Sequence, residues 1–591
     1  MKGTSVLLPR KELDVVETLF TEHSMAPSSV VTAPSSQIRK MHPMNAIYSV
    51  YSRFKLVIQQ DVISVHLEAV FIVDDDLLTY RDYKNVDSDV ELATTNQVGV
   101  FYVALDHIGL RDLTIWVSQW LVLSLINKVF AKILTSPFVN IMSEDKLDTV
   151  ITPVFISPVL QFLFSLTWYV LLPFRICLNE AAGPFLPVTP ERSRPVLLWI
   201  RRLVFMPVLV SFLGLYSIPA IFAFIVRNIL HQFRRPFCEI KTVNCNVQAE
   251  VPKQSFSVVT SNLCLMPEIL SKFNNLNKTA WRAKTIGERV YTDQVHYKDM
   301  MEKCLKNCNC VNTYDCTNKG TAVKQLDETH LKVDIITHFP ETDFLCLQEV
   351  FDRDYMNILI KELRKVYPYI VYDVGYSCPK RNYCGLNSGL TVASKYEIEA
   401  VSFKPYTTKC GFCAIVGKGL LMLKVILEKG KHKKVGFIFN THLQAFQGDK
   451  PVVQSQLSEI LACTREFRAD NAGPDEHVMF DILCGDFNID NMSPCEQEIS
   501  KHELFTIYVD VCRQRPGKDH DWTVGTEMRN PKLHDEAVST PEQLKAVLED
   551  PYLRQHYIID ADLKAVDNYN FVTRLATLTD HIPTSFDTAQ M

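Results

Sequence analysis

The sequence predicts a mixed α/β domain over the C-terminal part of the chain, set behind two long apolar segments. Three observations predict it. From residue 252 onward, short β-branched runs alternate with polar helical stretches, the pattern of sheets covered by helices. Five of those runs end abruptly in a residue able to hold a metal or a phosphate. Upstream, residues 149–174 and 203–226 contain no Asp, Glu, Lys or Arg.

At 591 residues the chain has room for several domains. The formal net charge of −5 is not the basic balance that phosphate contacts demand, so no nucleic-acid partner is expected. Its 17 cysteines are too sparse for a disulfide scaffold. Residues 1–20 carry Lys11, Glu12, Asp14 and Glu17 and lack the apolar core of a secretory signal. The enzymatic part is therefore expected in the cytosol with reduced cysteines.

Residues 1–110 form the first zone, with no chemistry of their own. A Ser/Pro-rich stretch at 26–36 reads as flexible. Val65, Leu67, Ala69, Phe71 and Val73 alternate into the acidic turn Asp74-Asp75-Asp76, and 98–105 is a second strand candidate. A small β-rich appendage or a disordered stretch is expected there.

The second zone, 111–236, is expected at a membrane. Its hydrophobic segments, about 149–178 and 203–226, each exceed the roughly 18–20 residues that cross a bilayer. Pro153, Pro158, Pro173, Pro207 and Pro219 interrupt them, so each segment either spans or dips in and returns. A shorter run at 113–127 carries Trp116 and Trp120, residues suited to the headgroup region. Arg192, Arg194, Arg201 and Arg202 lie between the two long segments, and Arg227, Arg234 and Arg235 follow them. Basic residues at both ends favour a hairpin with both ends cytosolic, where the arginines can meet anionic lipid heads. Cys238 and Cys245, just past the second segment, are candidates for acylation.

The third zone, 252–591, holds the chemistry. Residues 257–261 lead into Asn262. Phe344-Leu345-Cys346-Leu347 leads into Gln348 and Glu349. Residues 435–439 lead into Asn440, Thr441 and His442. Residues 479–484 lead into Gly485, Asp486, Phe487 and Asn488, and Leu578-Thr579 into Asp580 and His581. Apolar strands buried in a core can project such end residues into one cleft. Asp486 and Asn488, two apart, face one side of an extended chain, with Phe487 on the other. Gly485 is expected to let a phosphate approach the backbone.

These residue types suit hydrolysis of a phosphate diester. Mg²⁺ takes oxygen ligands and keeps several waters, so a carboxylate such as Glu349 suffices to hold it. Mn²⁺ is the alternative metal. His581 is the candidate base, and His442 is placed to bond the phosphate or protonate the leaving oxygen. A polar insert at 274–324, with Cys304, Cys308, Cys310 and Cys316, lacks the spacing and histidines of a zinc site and reads as an inert or disordered loop.

The motifs Leu347-Gln348-Glu349-Val350, Ser388-Gly389-Leu390, Asn440-Thr441-His442-Leu443, Gly485-Asp486-Phe487-Asn488 and Thr579-Asp580-His581-Ile582-Pro583 resemble the endonuclease/exonuclease/phosphatase superfamily. Asn262-Leu263-Cys264-Leu265-Met266-Pro267-Glu268, Trp522-Thr523-Val524-Gly525-Thr526-Glu527 and Arg234-Arg235-Pro236-Phe237 look like the membrane-bound neutral sphingomyelinases, which also carry two hydrophobic segments before the catalytic domain. The resemblance implies a four-layer α/β sandwich that hydrolyses sphingomyelin to ceramide and phosphocholine with Mg²⁺, at the plasma membrane or Golgi. It implies metal ligation by Glu349 with Asn262 in support, orientation of water and phosphate by Asp486 and Asn488, and His581 as base beside Asp580.

Two positions depart from that family. An Asp is expected five residues before a Lys-Gly pair, as half of an activating switch; here Cys413 precedes Lys418-Gly419. An Asp that orients the catalytic histidine is replaced by the run Arg554-Gln555-His556-Tyr557, which leaves Asp560 as a substitute. The alternatives are another hydrolase of the same fold, acting on inositol phosphates or nucleic acid, or a catalytically weakened lipid-sensing membrane protein.

Overall fold

The computed structural model describes residues 4–9 and 149–588, apart from 243–254, 308–331, 376–385, 559–567 and several shorter gaps. The chain divides into two units, of which residues 20–135 form one. That unit lies outside the described residues, as do the expected strands near 62–73 and 98–105 and the apolar run at 113–127. The other unit is described below.

Its strands in chain order begin with β1 (Thr4–Pro9), β2 (Thr149–Thr152), β3 (Cys238–Thr242), β4 (Phe256–Leu265), β5 (Lys332–Ile336) and β6 (Phe344–Val350). They continue with β7 (Tyr369–Tyr372), β8 (Thr391–Ser394), β9 (Glu397–Pro405), β10 (Gly419–Glu428), β11 (Lys433–His442) and β12 (Glu476–Asp486). The last of the main sheets are β13 (Tyr508–Asp510), β14 (Asn568–Val572) and β15 (Thr584–Thr588). A nine-stranded sheet runs β2-β3-β7-β8-β6-β4-β15-β14-β5, and a six-stranded sheet runs β13-β1-β12-β11-β10-β9.

The long helices are α1 (Pro158–Ala182), α2 (Met206–His231), α3 (Thr279–Asn307), α4 (Arg353–Leu363) and α5 (Val452–Asn471). Side-chain alternation explains the layering. In β6, Phe344 and Cys346 meet Leu421, Leu423, Ile438, Phe480 and Ile482 of the other sheet in a central core. Leu345 and Leu347 turn the other way onto Ala283, Ile286 and Val290 of α3 and Tyr355, Met356 and Leu359 of α4. On the far side Phe437, Phe439 and Leu483 pack on Leu457, Ile460, Leu461 and Phe467 of α5. The result is helix, sheet, sheet, helix: the expected four-layer sandwich. Both faces of each central strand are covered, which is why these strands read as continuous apolar runs.

Several expectations are corrected. The insert at 274–324 is not a loop in its first half, because α3 fills 279–307 and buries an apolar stripe on the sheet. The sheets also recruit strands from outside 252–591. Thr4–Pro9, in the zone read as a separate appendage, pairs with β12 from Thr4 opposite Asp486 to Leu7 opposite Leu483. The apolar segment about 149–178 does not begin as helix, since Thr149–Thr152 is an edge strand and α1 starts at Pro158, where proline suits the first turn.

β2 and β3 pair with each other, with Thr149 opposite Thr242 and Thr152 opposite Glu239. The α1–α2 hairpin therefore leaves and re-enters the same sheet edge, and both of its flanks lie on the side of the sandwich. Two helices here, 158–185 and 209–231, are long and apolar enough to cross a membrane by length and composition. One face of α1 is nevertheless fastened to the sandwich. Trp168 Nε1 donates to Asp354 Oδ1 at 2.9 Å, Arg175 pairs with Asp352, and Phe164 and Leu230 join the core beneath the nine-stranded sheet. Arg227 of α2 lies 3.7 Å over the Phe164 ring. Val159, Phe162 and Leu166 of α1 and Leu215, Ile218 and Phe222 of α2 remain exposed.

Candidate active site

The parallel pairs β4–β6 and β11–β12 bring four strand ends to one place. Asn262 stands opposite Gln348, and His442 opposite Asp486. The sequence puts apolar residues up to each end and the first polar side chain where the core stops, so the polar groups gather in one cleft.

Seven residues meet there. Asn262 Nδ2 donates to Asp486 Oδ2 at 2.9 Å. Asp486 Oδ1 accepts the Asn488 backbone N–H at 3.1 Å, and Asn488 Nδ2 donates to the Leu443 carbonyl at 3.2 Å. His442 Nε2 stands 3.5 Å from Asp486 Oδ2 and 3.9 Å from Glu349 Oε1. His581 Nδ1 bonds Asp580 Oδ1 at 3.0 Å, which leaves its Nε2 facing Asp486 at 3.9 Å. The neighbouring Asp580 thus orients the histidine; Asp560, the substitute expected for that task, lies outside the described residues.

Lys418 completes the cleft. Its Nζ is 2.8 Å from His442 Nε2 and 2.6 Å from the Leu443 carbonyl oxygen, and the residue is 3% exposed. Among the described residues it has no carboxylate ion-pair partner. Cys413 is buried in the short turn Gly411–Ile415.

The electrostatics follow from burial. Burial, then Asp580, raises the Glu349 carboxyl to about 7 against the opposing pull of His581 and Lys418. Burial resists charge on Asp486 and Asp580 too, but the histidines and hydrogen bonds around them outweigh it and hold both below the usual carboxylate range. Burial, with Lys418 next, lowers His442 to about 3. His442 is therefore neutral, and because Nε2 accepts from the Lys418 ammonium its proton is on Nδ1. For His581 burial again opposes charge, but Asp580 and Asp486 outweigh it and raise the imidazole to about 10.

Two backbone expectations change. Asn488 has φ +50°, so Asp486 and Asn488 share the cleft through a left-handed turn and not through extended chain, with Phe487 still in the core. Gly485 makes room for protein and not for phosphate. A Cβ there would stand 2.0 Å from the Thr441 carbonyl oxygen, at φ +143°.

Cys238 is also corrected as an acylation candidate. It sits in β3 at 8% exposure, and burial pushes its thiol up to about 12. Cys245 lies outside the described residues.

No family model matches the chain. It is 30% identical over 524 residues to sphingomyelin phosphodiesterase 5 of Danio rerio, covering 72% of this chain and 96% of that protein. The chain belongs to the sphingomyelin phosphodiesterase family. Human sphingomyelin phosphodiesterase 3 is 36% identical over 296 residues, 42% of this chain and 45% of the relative. Among solved structures, Staphylococcus aureus beta toxin is similar at a TM-score of 0.33 and 16% identity, covering 57% of this chain and all of the toxin.

Within this sphingomyelin phosphodiesterase chain, sequence reasoning named Gln348 and Asn440 as strand-end residues but missed how they brace the cleft, and missed Asn274 altogether. Asn274 Nδ2 donates to Asp580 Oδ2 at 2.7 Å, from the insert read as inert. Gln348 Nε2 donates to Asn440 Oδ1 at 2.8 Å, tying the two sheets beneath Glu349. Glu349 itself adopts φ +58°, and Gly389 packs so close that a Cβ would meet its Cα at 3.0 Å. A polar residue directly beside each strand-end motif was the available signal for Gln348; nothing local marked Asn274.

Glu349 Oε2 is buried with no hydrogen-bond partner, beside the like-charged Asp486 and Asp580. An orphaned oxygen in a cluster of carboxylates fits a hard cation that keeps most of its waters. Among the described residues no three His, Cys, Asp or Glu side chains form a ready-made cage.

Proposed function

We propose that this chain hydrolyses sphingomyelin to ceramide and phosphocholine at a membrane, with Mg²⁺, or Mn²⁺ in its place, held at Glu349 with Asn262 in support. Its membership of the sphingomyelin phosphodiesterase family supports the reaction class. The observation that carries the site assignment is the unbalanced pair in the cleft: a buried Lys418 ammonium without a carboxylate partner beside a buried Glu349 oxygen without a hydrogen bond. An uncompensated buried charge is costly, so both groups call for missing ligands, an anion and a cation.

When bound, the metal neutralises charge on the phosphate oxygens. The chain's own residues do the rest. Lys418 holds a phosphate oxygen, with His442 fixing the direction of its ammonium. Asp486, steered by Asn262, and Asn488 orient the attacking water. His581 accepts the water's proton at Nε2 while Asp580 holds Nδ1 and stabilises the resulting imidazolium. A cation held by Glu349 would add positive charge near His581 and would lower its proton affinity toward the neutral range that a base requires.

The exposed apolar face of the α1–α2 hairpin supports a bilayer location. Free cysteines among the described residues support a cytosolic catalytic domain at the plasma membrane or Golgi, with anionic phospholipid near the hairpin arginines. The test is phosphocholine release by full-length protein in sphingomyelin vesicles, run beside DNA and phosphoinositide substrates. Release from sphingomyelin that stops on chelation and in Glu349→Ala supports the reading. Turnover of DNA or phosphoinositides alone, or full activity in His581→Ala, overturns it.

A further inference from the structure

The turn that delivers Lys418 to the cleft has two unlike faces. Gly411–Ile415 is a 3₁₀ segment, in which residues three apart eclipse one another. Cys413 and Val416 share the inner face, at 6% and 1% exposure. Phe412 and Ile415 share the outer face, at 54% and 50% exposure. Two large apolar side chains thus stand together in solvent at three and six residues from Lys418, whose Nζ touches His442.

The inner face is firmly held. Val416 bridges to Leu386, and the Gly417 N–H donates to the carbonyls of Leu386 and Asn387 at 3.3 and 3.1 Å. Cys410 N donates to Gln444 Oε1 and Gln444 Nε2 returns to the Cys410 carbonyl, both at 3.2 Å. Lys409 Nζ caps the Val416 carbonyl at 3.2 Å. The turn is therefore a braced platform, and its apolar face does not arise from a loop without packing.

Residues 405–418 contain Lys409 and Lys418 and no Asp or Glu. Lys418 is turned inward, so the exposed pair has Lys409 beside it on the turn; an apolar pair next to a lysine, contiguous with a cleft proposed to act on lipid, matches the boundary between acyl chains and phosphate headgroups. We infer that Phe412 and Ile415 seat in the outer part of the lipid leaflet and hold the cleft against the bilayer, so that a lipid phosphate can reach Lys418. This deepens the proposed function and rests on its lipid substrate. It adds a second lipid contact, separate in sequence from the α1–α2 hairpin and contiguous with the cleft.

The test uses full-length protein reconstituted in phosphatidylcholine vesicles containing sphingomyelin. The Phe412→Ser/Ile415→Ser variant is expected to raise the KM for vesicle surface about 10-fold or more while leaving kcat at saturating surface within about twofold. Phe412→Leu/Ile415→Leu should restore the wild-type KM. An equal fall in kcat with no change in KM, or no change in either, overturns the inference. Independently of turnover, a benzophenone amino acid at position 412 should photocrosslink to lipid acyl chains; absence of a lipid adduct overturns it. Lipid adducts from a wild-type chain that releases no phosphocholine would sink the sphingomyelin reading and leave the lipid contact standing.

Discussion

Lys418 Nζ stands 2.8 Å from His442 Nε2, so the two residues share one proton-rich contact at the floor of the cleft. The histidine is neutral, and Lys418 lies near enough to Glu349 and Asp486 to act on both carboxyls. Where the family resemblance places a lysine–carboxylate switch, this chain has Cys413 buried in the turn and Lys418 already directed inward. Lys418→Met is expected to lower kcat by roughly 10²–10³-fold, the scale of losing one donor to a developing oxyanion. Removing a buried cation without a carboxylate partner should leave thermal stability unchanged or raised. Turnover and melting temperature measured together check this; a fall in both would make Lys418 a structural residue.

Glu349 and metal binding are separable by a thermal shift. Glu349→Gln keeps the shape and removes the charge repelled by Asp580 and Asp486. Without metal the variant should melt at or above the wild-type temperature, while its activity falls at least about 100-fold. Added Mg²⁺ should raise the melting temperature of the wild type and leave that of the variant unmoved. Equal shifts in both would place the cation elsewhere.

A charge cluster far from the cleft sets an acid limit on stability. Glu476 bonds Lys424 and Lys433, and its carboxylate also accepts the Gly473 N–H at 2.8 Å. Burial opposes its ionisation, but these bonds outweigh burial and lower it to about 2. A carboxylate with a depressed folded-state pKa stabilises the fold at pH above its unfolded value, about 4.3, and the gain is lost as pH falls toward 2. The shift corresponds to roughly 2–3 kcal/mol at neutral pH. Glu476→Gln should therefore lower the melting temperature at pH 7 and converge with wild type near pH 2–3. A gap independent of pH would assign the loss to packing.

Glu349, His442 and Asp486 were legible because each closes an apolar run, and burial of the strand makes its first polar residue conspicuous. The sandwich was legible for the same reason, since both faces of β6 and β11 are covered. The strand Thr149–Thr152 was hidden because an uncharged run continues from it through Pro153 and Pro158 into α1, so the two read as one apolar segment. Thr4–Pro9 pairs with β12 and β13, partners so far away in the chain that the pairing leaves no local mark on any of the three sequences. The role of Gly485 was misread because the contact that demands it, the Thr441 carbonyl, is 44 residues away on a neighbouring strand. Asn274 reaches Asp580 across 306 residues for a similar reason.

The hairpin and the cleft meet at Asp352, three residues beyond Glu349. Asp352 Oδ1 caps α4 by accepting the Asp354 N–H at 2.9 Å, and its other oxygen pairs with Arg175 of α1. The backbone N–H groups of Phe351 and Asp352 both reach the Leu265 carbonyl at 3.2 Å, so this corner holds β4 and β6 together just past their site residues. Asp352→Ala removes a helix cap and leaves Arg175 with the looser Asp354 ion pair at 3.7 Å and its stacking on the Trp168 ring at 3.9 Å, an expected cost of roughly 2 kcal/mol. Arg175→Met keeps the cap but leaves the buried Asp352 carboxylate without its cation, so it should cost about 3 kcal/mol. The double variant should lose less than the sum of the two, by about 0.5 kcal/mol or more, because the residues are in contact. Additive losses in detergent-solubilised full-length protein would mean that the ion pair contributes nothing to docking α1 on the sandwich.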